Sequence, residues 1–197
     1  MRTIALWLCI IGGLLWGLKP LYDVLVLDRR INTGYLASDV TDYIKFLFPL
    51  FCLGGVFVLF SLYKKKVRAS ISILAVAVLF HGLFHFSEMY FPNSDIPFGL
   101  LFMFSGLVLL LIGAAFLVVQ LRREKDIPRL LFRLAVVLFS ITFLFCLLPF
   151  VSGVFTAELL TGLMVGFMLG IGITWSAIGI ALLIIVKSDP SNLTTSI

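Results

Sequence analysis

"GLLFMFSGLVLLLIGAAFLVVQLRREKDIPR", Gly99 to Arg129, is the stretch whose reading decides the fold. From Gly99 to Leu121 it holds no ionisable side chain, and then Arg122, Arg123, Lys125 and Arg129 follow in quick succession. A helix that crosses the hydrocarbon of a bilayer needs roughly 20 predominantly apolar residues. Short basic connections next to such helices stay on the cytoplasmic side. The stretch therefore reads as a transmembrane helix leaving the bilayer into the cytoplasm.

The rest of the chain repeats this pattern. Its 197 residues are 61% hydrophobic and only 13% charged, with a mean hydropathy of +1.17, too apolar for a single water-soluble core with a polar shell. Taking about 20 residues as the unit gives six spans, over 4–27, 43–63, 70–90, 98–121, 130–150 and 159–186. The first reaches Leu27 if Pro20 kinks the helix, and stops near Leu18 if Pro20 ends it. Strand-like alternation in segments of about 10 residues is missing, which argues against an outer-membrane barrel. The expected fold is all-α: a polytopic bundle of about six transmembrane helices, with residues 1–197 forming one integral membrane domain.

Charge sets the expected orientation. "KKKVR" at Lys64 to Arg68 and "RREKDIPR" at Arg122 to Arg129 are short basic connections and belong in the cytoplasm, whereas "FPNSDIP" and "VSGVFTAE" carry no Lys or Arg and belong outside. Arg2 and Lys187 then lie inside with both termini, as expected for a multi-pass protein of the cell membrane. The formal net charge of +5 comes largely from those connections, so the partner is the lipid bilayer and no nucleic acid is expected. No small-x-small cleavage site precedes Lys19 and Pro20, so the first span is expected to be retained rather than removed as a signal peptide. The first connection, "DRRINTGYLASDVTDYIK", mixes both signs and is the one long external surface; the tail "SDPSNLTTSI" is short and polar.

One greasy segment carries ionisable groups. In "HGLFHFSEMY", His81, His85 and Glu88 fall within a narrow stripe of one helix face, running from the bilayer centre toward the outer edge. Ionisable residues at such depth are costly unless paired, and mark a site by default. Three readings follow: a divalent transition metal on His81, His85 and Glu88, since ligands at i and i+4 share a face; a proton or solute path, since histidine titrates near neutrality; or imidazoles that only bond to neighbouring helices. Haem fits poorly, because two histidines on one helix face cannot take opposite axial positions. Further groups at the outer level are Lys19 and Asp23, spaced to pair on one face if the helix continues through Pro20, together with Asp95 and Glu158. The sharpest expectation is an external pocket of Lys19, Asp23, His81, His85 and Glu88. The opposing one leaves Lys19 snorkelling to the interface and Asp23 in water.

Two other patterns bear on packing. Gly162, Gly166 and Gly170 form a small-x3-small stripe in the sixth span, followed by Thr174; such a stripe lets another helix approach closely, in the same chain or in a partner. Gly13, Gly17, Gly99, Gly106 and Gly113 offer facing grooves. Trp7, Trp16, Tyr22, Tyr43, Tyr63 and Tyr90 lie toward span ends, as an interfacial aromatic belt requires.

The function classes narrow accordingly. Cys9, Cys52 and Cys146 are isolated, and the sequence has no Walker motif, HExxH, G-x-S-x-G or CxxC. An enzyme is the less expected class. The second, fourth and fifth spans offer small hydroxyls such as Ser61, Ser105, Ser140 and Thr142, which weakens a transport path. The leading expectation is an accessory or regulatory membrane protein acting through helix contacts, with a membrane-protein partner or a second copy on the sixth span. The alternative is a transporter-like or metal-binding membrane protein using the pocket around His81, His85 and Glu88, with no cofactor beyond that metal.

Overall fold

The computed structural model describes residues 1–25, 44–90, 98–124 and 127–188, and all secondary structure among them is helical. Six α-helices follow in order: α1 Arg2–Leu25, α2 Leu47–Phe51, α3 Leu53–Tyr90, α4 Phe98–Arg123, α5 Arg129–Val151 and α6 Ala157–Ser188, with a 3-10 turn at Ser152–Val154 between the last two. Five segments are long and apolar enough to cross a membrane: Arg2–Leu25, Lys66–Ser87, Leu101–Arg123, Arg129–Phe150 and Ala157–Ser188. The first connection up to residue 43, "FPNSDIP" with Asp95, and the tail beyond residue 188 lie outside the described residues.

The second expected span is where sequence and structure part. Its apolar helix, Leu47–Tyr63, is shorter than the other five and is broken between α2 and α3 at Cys52. Pro49 has no amide hydrogen to donate. Around it the backbone takes i to i+3 bonds, from Phe48 to Lys45, Cys52 to Pro49 and Gly55 to Cys52, at 3.1, 2.9 and 3.0 Å. Such steps rise about 2.0 Å per residue rather than 1.5 Å, so the segment reaches further than its residue count suggests.

The basic connection at Lys64 to Arg68 is not an open loop. It is a tight reversal inside α3, where Tyr63 (φ −128°, ψ 22°) and Val67 (φ −130°, ψ 20°) leave helical geometry. The two arms run antiparallel. Phe46 stacks edge-on against Phe86 at 5.6 Å, and a Cβ on Gly82 would meet Leu50.

α1 packs between α6 on one side and α2 and α3 on the other, with a third face exposed. On one side it lies against α6, where a Cβ on Gly13 would meet the Gly172 carbonyl and Ser176 within 2.6 Å, and one on Gly172 would meet the Gly17 backbone at 2.6 Å. Ser176 closes this contact by donating to the Ile10 carbonyl at 2.8 Å. On the other side Gly12, Gly54 and Gly55 let α1 approach α2 and α3. Helix-to-helix attraction in a bilayer comes from close van der Waals fit rather than from a hydrophobic drive, and small residues at the contact supply that fit. The contact on α6 thus falls at Gly172 and Gly179, not at the expected stripe. Gly162 and Gly166 meet nothing within 4 Å, and Gly170 meets only the Ile141 side chain.

Antiparallel pairing brings the basic residues to one end. Contacts between α1 and α6 run in opposite directions, which puts Arg2 beside the end of α6 with Lys187. Lys66 pairs with Glu124 at 2.9 Å, and Ser70 donates to Gln120 at 2.7 Å, so both basic connections meet at that same end. This end is well filled, with Val67, Leu121, Ile127, Leu131 and Val186 buried. At the opposite end the bundle opens, and α6 has no buried residue before Ile171. Large apolar side chains face outward on the long helices, Ile4, Phe57, Leu101, Phe116 and Ile184 among them, a surface suited to hydrocarbon rather than water.

Candidate functional site

The opening at the end opposite the basic connections is a cavity of about 240 Å³ reached by side chains from every part of the bundle. Its polar lining consists of Trp16, Lys19 and Asp23 from α1, Lys45 from the turn before α2, and His81 and His85 from α3. Apolar side chains of α4, α5 and α6, including Met103, Phe145 and Met164, complete the wall.

Each polar residue has a local reason to be there. α1 continues through Pro20 to Leu25, so Lys19 and Asp23 fall one turn apart and form an ion pair at 2.5 Å. Lys19 is only 8% exposed and sits 5.3 Å from the Tyr22 ring centre, so it turns into the bundle and does not snorkel to the interface. Its carboxylate partner offsets the cost of removing the charge from water. His81 is 2% exposed. Its Nδ1 lies 2.9 Å from the Ala77 carbonyl and donates to it. Its ring meets Trp16 edge-on at 5.2 Å and 65°. Gly106 makes the room: a Cβ there would lie 2.8 Å from His81 Nδ1.

Four of the expected pocket residues, Lys19, Asp23, His81 and His85, thus share one cavity. The placement of the Glu88 side chain and of Asp95 falls outside the described residues. Glu158 is exposed at the start of α6 and is not part of the lining. Among the described residues no three His, Cys, Asp or Glu side chains come together to hold a metal ion.

Two lining residues were not anticipated. Trp16 is not a belt residue: it is 3% exposed, and its buried Nε1 hydrogen has no hydrogen-bond partner. Lys45, 3% exposed, lies inside the expected second span and supplies the polar group that span seemed to lack. The signal was present, since a lysine four residues before Pro49 within an apolar run meets the same criterion that singled out His81. Of the small hydroxyls, Ser61 and Thr142 bond to carbonyls of their own helices at 3.0 and 2.7 Å.

In chemical terms the cavity is rich in donors. An ammonium carries three N–H groups, so a lysine that already has a carboxylate partner can still donate to a ligand. The lining brings Lys19, Asp23 and Lys45 into one cavity with Trp16, whose buried indole N–H has no hydrogen-bond partner. That arrangement suits a group with acceptor oxygens and negative charge. Compared with known protein families, curated proteins and solved structures, the chain matches none.

Proposed function

We propose that the protein is an integral membrane protein crossing the bilayer six times, with both termini in the cytoplasm, and that it binds a ligand bearing an anionic group in the cavity at the outer end. The apolar outward surface and the five long apolar helices support membrane embedding. The gathering of Arg2, Lys66, Arg122, Arg129 and Lys187 at one end supports the orientation. The observation that carries the binding reading is the Trp16 N–H, buried and without a partner beside two buried lysines. A buried donor left unpaired costs about 1–3 kcal/mol, a cost that an acceptor on a ligand removes.

The test is thermal unfolding of the purified protein in detergent, with inorganic phosphate against chloride at constant ionic strength. A ligand that binds only the folded state raises the melting temperature. Phosphate should raise it in the wild type and not in Lys45→Gln. Equal behaviour of both proteins in both salts would overturn the reading.

A second reading rests on α6. Gly162 and Gly166 are exposed with nothing within 4 Å, which leaves a small-residue face for a partner helix or a second copy. This is the accessory function expected from sequence. Cysteine crosslinking from position 162 in membranes tests it, and adducts that do not change between positions 162 and 180 would contradict it.

A further inference from the structure

Beside the polar cavity lies a second hollow of about 530 Å³ between α4, α5 and the start of α6, and every side chain lining it is apolar. The two are adjacent and share a wall. Met103, Leu107, Phe145 and Met164 line both. The hollow opens on the outside of the bundle, where Phe104, Val108 and Phe150 are half exposed or more.

We propose that cavity and hollow are two parts of one site for a single-chain membrane lipid with a phosphate head, the phosphate among Trp16, Lys19 and Lys45 and the chain between α4 and α5. This rests on the reading of the cavity as an anion site. Three observations carry it. A phosphate brings several strong acceptor oxygens, and the cavity presents donors from two separate segments, one of them the unpartnered Trp16 N–H. The hollow has the volume of one hydrocarbon chain and offers that chain no polar group. The wall shared by the two is half methionine, an unbranched side chain that shifts to admit a chain at little cost.

Physics divides the labour between the parts. A chain moving from the bilayer into an apolar hollow exchanges one hydrocarbon surrounding for another and gains little. Affinity must therefore come from the head, while the hollow provides lateral entry from the membrane and room for the chain. A water-soluble anion would need no such hollow.

The experiment uses the full chain in zwitterionic lipid nanodiscs and lysophosphatidic acid carrying a diazirine at the end of its chain. After irradiation, adducts should map to residues 104–111 of α4 and 145–150 of α5, and unlabelled lysophosphatidic acid should remove them. Apparent affinity should fall about tenfold or more in Lys45→Gln, the scale of one lost charge-assisted bond. Val108→Trp, at a half-exposed position of the hollow alone, should weaken lysophosphatidic acid and leave binding of glycerol 3-phosphate unchanged. Glycerol 3-phosphate binding with chain adducts scattered elsewhere would overturn the lipid proposal and leave the anion site standing. No saturable binding of either phosphate probe would overturn both. Equal labelling by a diazirine fatty acid or monoacylglycerol would overturn the phosphate head.

Discussion

A glycine and a histidine decide how the open-end half of α3 meets α4. Because a Cβ at position 106 would lie 2.8 Å from His81 Nδ1 and 3.0 Å from Cε1, Gly106→Ala should push the imidazole off the Ala77 carbonyl. Overpacking of this kind costs about 1–3 kcal/mol, and we expect a lower melting temperature in detergent. The same substitution in a His81→Ala background should cost far less, since contacting residues do not add. Equal costs in both backgrounds would mean the two do not touch. The ion pair gives a parallel case. Lys19→Met alone strands the Asp23 carboxylate, which breaks a largely buried pair and should destabilise by about 3 kcal/mol. Lys19→Met with Asp23→Leu should recover most of that loss, and a double variant no better than the single would contradict the pairing.

At the scale of elements, most helices were legible because a lipid-facing helix advertises itself by length. Five apolar runs appear as five helices, within a few residues of their expected bounds. What the run of apolar residues could not convey is how a segment is wound and which faces meet. The 43–63 region is apolar enough, but Pro49 and the bonds around Cys52 tighten and break it. The glycine stripe at 162, 166 and 170 lies off the contact with α1, which crosses α6 further along, at Gly172 and Gly179. Spacing reports that a helix can be approached, not where its neighbour passes. This yields a comparison. Gly13→Leu, set against the Gly172 carbonyl and Ser176, should unfold or strongly destabilise the bundle, whereas Gly162→Leu should change stability by no more than about 0.5 kcal/mol. Melting curves of the two variants side by side check it, and a reversed order would contradict the close contact of α1 with α6.

Across the whole molecule, a polarity of charge coincides with a polarity of packing. The basic end is closed, pinned by Lys66 and Glu124 and filled by Val67, Leu131 and Val186. The other end is open and holds the cavity. Part of the site was visible in the sequence because Lys19, Asp23, His81 and His85 are ionisable groups in greasy surroundings. Lys45 carried the same signal, whereas Trp16 did not, because an indole in an apolar run is unremarkable until the fold sets it against His81. The proposed orientation turns the closed end to the cytoplasm and the cavity outward. Its most direct test is labelling of single cysteines, placed in a chain whose Cys9, Cys52 and Cys146 are replaced by alanine, with a membrane-impermeant thiol reagent. Gly153→Cys and Glu158→Cys, at the open end, should react in intact cells, while Arg122→Cys and Glu124→Cys should react only after the membrane is permeabilised. Reaction of the basic-end cysteines in intact cells, with protection of positions 153 and 158, would contradict the account.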